Sequence, residues 1–121
     1  MKVSNQRELL ELAAKACGYD TSHRWNKERL NLDPPVASLC IDTRTAWNPL
    51  ENDDDAFRLA IELGITVVVD KDTKTVEAHY GDWDPDTCCR PFVEEDTVQC
   101  SELYAARLAV VRAAAELGAK K

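Results

Sequence analysis

Three stretches of this chain carry apolar residues at helical spacing, and each is followed by a glycine. The glycines are Gly18, Gly64 and Gly118, and the whole sequence contains only four. A glycine directly after an amphipathic stretch is a common left-handed end of a helix. The sequence therefore predicts three helices and confines any strands to the residues between them.

Polar residues that can cap a helix stand at the start of each stretch. Asn5 with Glu8 three residues later resembles a capping box. Asn52 precedes three aspartates, which suit the positive end of a helix dipole. Ser101 is the expected cap of the last helix, which we expect to end at Leu117.

The segments between the helices show strand patterns. Val36–Asp42 and Thr75–Tyr80 alternate apolar and polar residues, as a half-buried strand does. Thr66–Asp70 is a continuous β-branched run, which is typical of a central strand. Phe92–Cys100 is a candidate for a further extended segment, and residues near Thr21–Trp25 for a short strand.

The order of these elements is α-β-β-α-β-β-α, with residues 92–100 as an optional further strand. We expect an α+β fold in which three helices pack on a small, mostly antiparallel sheet, with an α-β-α sandwich as one variant. A chain of 121 residues is long enough for one core, so residues 1–121 are expected to form a single domain.

Charge is unevenly distributed along the chain. The net charge is −7, and residues 51–100 alone hold fourteen Asp/Glu against four Lys/Arg. Such a surface repels phosphate backbones and attracts basic proteins, so direct nucleic-acid binding is not expected. The simpler alternative is that the acidic residues only keep the protein soluble.

The acidic segment contains the expected partner-binding residues, because a tryptophan flanked by carboxylates can anchor a basic partner. Its pattern imitates a calcium loop but has Thr87 and Val93 where that loop needs Gly and Glu. The candidate residues are Asp82, Trp83, Asp84, Asp86, Glu94, Glu95 and Asp96.

Five cysteines, an odd number, occur in a chain whose start does not resemble a secretory signal. We expect reduced thiols in a cytosol, with Cys17 and Cys40 buried and unpaired. Cys88, Cys89 and Cys100 lack the spacing of a zinc site, so no metal and no cofactor are predicted. No apolar run is long enough to span a membrane.

No motif for phosphate binding or nucleophilic catalysis is present, so we do not expect an enzyme. The alternative is a ligand pocket at the sheet edge, lined by Arg107, His79 and Cys88. Arg107 falls on the apolar side of the last helix. Its side chain either extends to water, pairs with an acid, or serves as a functional cation.

Three segments together resemble a known family: ELLELAAKACGYD, WNPLENDDDAFRLAIELGITV and YAARLAVVRAAAELG. They are similar to the phage ABA sandwich domain, found in small proteins of tailed bacteriophages and prophages. The resemblance implies an α-β-α layering and a phage or prophage accessory protein in a bacterial cytoplasm. It implies no catalytic residues, and the double cysteine departs from it.

The expected function is therefore binding to a host or defence protein with a basic surface. Two alternatives stay open: a binder of a small, nucleotide-like ligand or an enzyme with a pocket near Arg107, and a module that associates with a second copy as a homodimer.

Overall fold

The computed structural model describes residues 1–42 and 45–121. In chain order the elements are α1 (Val3–Cys17), α2 (Trp25–Leu30), β1 (Leu39–Ile41), β2 (Thr45–Trp47), α3 (Asp53–Leu63), β3 (Thr66–Asp70), β4 (Thr75–His79), β5 (Phe92–Asp96) and α4 (Glu102–Ala119). Strands β1 and β2 form one antiparallel sheet, and β3-β4-β5, in that order, form a second. The predicted α+β class is confirmed.

Helix α4 lies at the centre of the molecule because it is apolar on almost every side. Its buried residues are Ala105, Ala109, Val110, Val111, Ala113, Ala114, Ala115 and Gly118. Helix α1 packs along one side of α4, α3 packs along another, and β4 and β5 lie against a third. The core is one continuous cluster to which both sheets contribute, through Leu39 and Trp47 in one and Val76 and Ala78 in the other.

Most of the helix ends lie where the sequence pattern predicts them. Asn52 and Ser101 cap α3 and α4 by accepting hydrogen bonds from the backbone amides three residues later. Gly18 and Gly64 end α1 and α3 in the left-handed conformation. The capping box at Asn5 is wrong, since α1 begins at Val3 without a side-chain cap.

Gly118 is not the predicted residue beyond the end of α4 but part of the helix. A Cβ at this position would lie 1.8 Å from the carbonyl oxygen of Leu12 in α1. The glycine therefore permits the close approach of two helices instead of ending one of them.

The strand predictions need three corrections. The first strand is shorter than Val36–Asp42, and it pairs with a β2 that the sequence did not indicate. Residues 25–30 form a helix instead of a strand at Thr21–Trp25, since this segment is rich in Lys, Glu and Arg. The fold consequently has four helices in the described ranges, not three.

The third correction concerns β3, which is an edge strand and not a central one. Within residues 1–42 and 45–121 it pairs only with β4, and all five of its residues are exposed. Helices cover only one face of the three-stranded sheet among the described residues, so this sheet is not the middle of an α-β-α sandwich. A β-branched run predicts a strand correctly but carries no information about its neighbours.

Arg7 holds the segment before β1 against α1. Arg7 is 4% exposed, and its guanidinium donates hydrogen bonds to the carbonyl oxygens of Asn26, Val36, Ala37 and Ser38. Burial lowers the pKa of Arg7 from its usual value. Four acceptors on one cation compensate the burial of a charge that has no carboxylate in hydrogen-bond contact.

Candidate binding surface

Among the described residues, no helix packs against one face of the three-stranded sheet. Val76 and Ala78 of β4 point toward the helices and are fully buried, so the alternating residues of β4 point away. The strand register extends this side to the neighbouring strands. We call it the open face; it consists of Thr66, Val68 and Asp70 of β3, Thr75, Glu77 and His79 of β4, and Phe92, Glu94 and Asp96 of β5.

Four carboxylates lie on the open face: Asp70, Glu77, Glu94 and Asp96. In residues 1–42 and 45–121, none of them forms an ion pair with Lys or Arg. The one ion-pair contact is from His79, whose Nε2 lies 2.9 Å from Glu77 Oε1. Three of the carboxylates, Asp70, Glu77 and Glu94, border a shallow depression of 270 Å³ that also includes Val68, Thr73 and Thr75. The open face is therefore concave and acidic.

Glu77 and Glu94 are direct cross-strand partners in the β4–β5 pairing. Side chains directly opposite each other in antiparallel strands are close neighbours, and like charges there are destabilising. His79 contacts one of the two carboxylates, with its Nε2 beside Glu77 Oε1. The direct opposition of these two carboxylates is therefore expected to cost the fold some stability.

The loop between β4 and β5 adds further acidic groups at one end of the open face. His79 stacks on Phe92, with ring centroids 4.9 Å apart, and separates this loop from the carboxylates. Asp82, Trp83 and Asp86 are exposed, with 61% of Trp83 accessible. Asp84 forms a bridge with Cys89 that closes the loop. A depression of 680 Å³ beside it is bordered by Asp82, Asp84, Leu117 of α4 and Lys120 just beyond that helix.

The structure divides the predicted partner-binding residues among three places. Glu94 and Asp96 lie on the open face, and the four loop residues lie beyond its His79 end. Glu95 points to the helix side, where it forms an ion pair with Arg112 and is only 20% exposed. The seven residues consequently do not form one continuous patch, and their role in binding stays a prediction.

Sequence reasoning missed Asp70 and Glu77 as parts of this surface. The signal was present, because Thr75, Glu77 and His79 alternate with buried residues and so had to share a face. The contribution of Asp70 depended on the register with β4, which the sequence pattern does not give.

Arg90 is a second residue that the sequence did not single out. Its Nε donates to Gly81 O at 2.9 Å, and its other nitrogens reach Gly64 O and Thr66 Oγ1. One side chain thus ties the loop to the turn before β3, which positions Asp82 and Trp83.

The alternative pocket residues do not converge. Arg107 lies on α4, on the covered side of the sheet, whereas His79 lies on the open face and Cys88 in the exposed loop. The Nε of Arg107 donates to Leu50 O at 2.8 Å, and a terminal nitrogen pairs with Asp53 at 2.6 Å. Of the three roles left open by the sequence, the structure shows Arg107 paired with an acid.

Beside Arg107, a groove of 450 Å³ runs between α3, α4 and the covered side of β3. We call it the α3–α4 groove; it is lined by Asp53, Asp54, Ala56, Phe57, Ala60, Val67, Leu103, Ala106, Arg107 and Val110. Phe57 and Leu103 on its walls are 67% and 63% exposed. The groove is thus a mostly apolar surface open to solvent.

All five cysteines lie in the described part of the chain, and all are free thiols. Cys40 is buried as predicted, Cys17 is half-buried, and Cys88, Cys89 and Cys100 are exposed. Burial and then the negative charge of Glu62 raise the pKa of the Cys17 thiol to about 11. Cys17 is therefore a poor nucleophile at neutral pH.

Across the described ranges, no group of three or more His, Cys, Asp or Glu is arranged to hold a metal ion. The helices described for this chain include none that is both long and apolar enough to cross a bilayer. Comparisons with protein-family models, with curated proteins and with solved structures gave no match. The resemblance to the phage ABA sandwich domain therefore stays a prediction.

Proposed function

We propose that this is a phage- or prophage-encoded binding protein that occupies a basic surface of a host or defence protein in the bacterial cytoplasm, without catalysis. The observation that carries the proposal is the open face, where four carboxylates share one side of a small sheet without a Lys or Arg partner in the described ranges. The phage origin rests on the resemblance of the three sequence segments.

The directly opposed Glu77 and Glu94 support a binding role for this face. Repulsion between the two carboxylates lowers the stability of the protein without its partner. A cationic group of a partner placed between them would remove this repulsion. Clustered like charge also attracts an oppositely charged partner before contact and increases the rate of association. A basic protein is the kind of partner that this face would bind.

The loop beyond His79 supplies the second kind of contact. Trp83 is exposed and flanked by Asp82 and Asp84 in the sequence. An aromatic residue that becomes buried on binding slows dissociation, whereas surrounding charges mainly change the association rate. The carboxylates are therefore expected to set mainly the association rate, and Trp83 mainly the dissociation rate.

The test compares two variants of equal net charge in capture from a lysate of a bacterial host. The face variant carries Asp70→Asn, Glu94→Gln and Asp96→Asn. The control variant carries Glu8→Gln, Glu28→Gln and Glu51→Gln, which are exposed acids outside the open face. We expect the wild type and the control to retain the same partner and the face variant to lose it.

Binding to the purified partner should weaken as salt rises, because the Debye length shrinks to about 8 Å at physiological ionic strength. Trp83→Ala should speed dissociation with little dependence on salt. Equal capture by the wild type and the face variant would contradict the proposal, as would loss of capture by both variants, since net charge alone would then explain it.

A further inference from the structure

The two edges of the three-stranded sheet differ in a way that points to a partner for only one of them. Edge strand β5 contains three consecutive acids, Glu94, Glu95 and Asp96. Edge strand β3 contains three consecutive valines, Val67, Val68 and Val69, which are 39%, 43% and 48% exposed. Charged residues are a common protection of an edge strand against pairing, and β3 has none within its valine run.

We infer that β3 pairs antiparallel with β3 of a second copy of this chain, forming a closed dimer with a six-stranded sheet. Pairing centred on Val68 places Val68 opposite its own copy and Val67 opposite Val69. Thr66 then lies opposite Asp70, so no two carboxylates of the strands face each other directly. The acids of β5 disfavour the alternative head-to-tail pairing of β3 with β5, which would produce an open polymer.

The α3–α4 groove extends the apolar surface next to β3. Val67 and Val69 point to the covered side of the sheet, because their cross-strand partners Ala78 and Val76 are buried there. Helix α4 packs mainly against β4 and β5, which leaves this side of β3 accessible. Val67 lines the groove together with Phe57 and Leu103.

The exposed apolar area fits a dimer of ordinary size. The exposed parts of Phe57, Val67, Val68, Val69 and Leu103 amount to roughly 500 Å², against the roughly 800 Å² that each partner buries in a standard interface. Backbone and polar atoms along β3 can supply the remainder. Because both copies present the same residues, the two-fold axis makes the contact self-complementary.

The two-fold axis of such a pairing is perpendicular to the sheet, so both open faces lie on the same side. The dimer would therefore present one continuous acidic surface twice as wide as that of a single chain. The inference itself rests on the β3 edge and does not require the proposed function.

The test is the mass of the purified protein in solution over a range of concentrations, by light scattering or sedimentation. We expect the wild type to reach the mass of two chains. Val68→Lys places two lysines against each other at the two-fold axis and should weaken association by about tenfold or more. Val36→Lys adds the same charge at a valine of similar exposure, 38%, far from β3 in the sequence, and should still dimerise.

Hydrogen exchange locates the contact. Amides of residues 66–70 should gain protection as protein concentration rises, while those of β5 should not. Because each copy carries a charge of −7, added salt should strengthen the dimer, the opposite of its effect on a basic partner. A wild type that remains monomeric, a Val68→Lys protein that dimerises as the wild type does, or protection at another strand would each overturn the inference.

Discussion

Cys17 illustrates how one half-buried residue couples the stability of the fold to pH. It is the last residue of α1, and Tyr19 follows Gly18 and donates a hydrogen bond to Glu62 of α3 at 2.5 Å. Burial is the larger cause of the raised pKa of Cys17, and Glu62 adds to it. Burial and the bond to Glu62 also raise the pKa of Tyr19. Both groups are therefore held in their neutral forms by the fold.

Stability should consequently fall as pH rises above 9. Below the ordinary thiol pKa of 9.0, Cys17 is protonated in both the folded and the unfolded chain. Its full contribution to the free energy of unfolding is then present. Between 9.0 and about 11 the unfolded chain ionises first, so the contribution is lost as pH rises through the folded value. Urea unfolding across this range should show a smaller loss of stability for Cys17→Ala than for the wild type. Cys100→Ala, at an exposed thiol, should keep the wild-type slope; equal slopes for all three proteins would show that Cys17 does not contribute.

At the scale of elements, the helix ends were the most predictable part of the fold. Asn52, Ser101, Gly18 and Gly64 act through contacts with residues close in sequence, so the local pattern determines them. Gly118 shows the limit of such a pattern. It has the same sequence signal as a helix end, but its role depends on Leu12, which is distant in the chain.

The strands show the same division between local and distant determinants. The alternation in Thr75–Tyr80 correctly gave the buried side of β4, whereas the edge position of β3 depended on strand order. The sequence predicted part of the candidate binding surface, namely Glu94 and Asp96 of the open face and the acidic residues of the loop between β4 and β5. Glu95 was misplaced because a run of three acids gives no indication of which one turns toward Arg112.

Gly118→Ala tests the close packing of α1 and α4. In an isolated helix this change would be favourable by about 1 kcal/mol. Here the added methyl group would meet the backbone of Leu12 at 1.8 Å, so the helices must separate. We expect a loss of about 1–3 kcal/mol in the free energy of unfolding, as in other overpacked cores. Chemical denaturation measures the sign directly, and a stabilised Gly118→Ala protein would show that the helices are not in this close contact.

For the molecule as a whole, four carboxylates share the one face of the three-stranded sheet that has no helix packed against it in the described ranges. The other ion pairs of the described residues lie elsewhere: Asp53 pairs with Arg107, Glu95 with Arg112 and Glu102 with Lys71. In the part of the chain that the structure describes, the only ion-pair contact on the open face is that of His79 with Glu77. The same carboxylates are therefore expected to lower the stability of the fold and to strengthen the proposed binding of a basic partner.

Glu94→Gln should separate these two effects. Removing one charge of the opposed Glu77–Glu94 pair should raise the free energy of unfolding by about 0.5 kcal/mol at low salt. The gain should largely disappear at about 1 M salt, where the Debye length is about 3 Å. The same change should weaken binding of the basic partner, because a neutral amide no longer attracts it. Glu8→Gln, at an exposed acid of α1, serves as the control and should alter neither property. If Glu94→Gln instead lowered the free energy of unfolding at low salt, the Glu94 carboxylate would be stabilising the fold. The expectation that the acids of the open face lower stability would then be wrong.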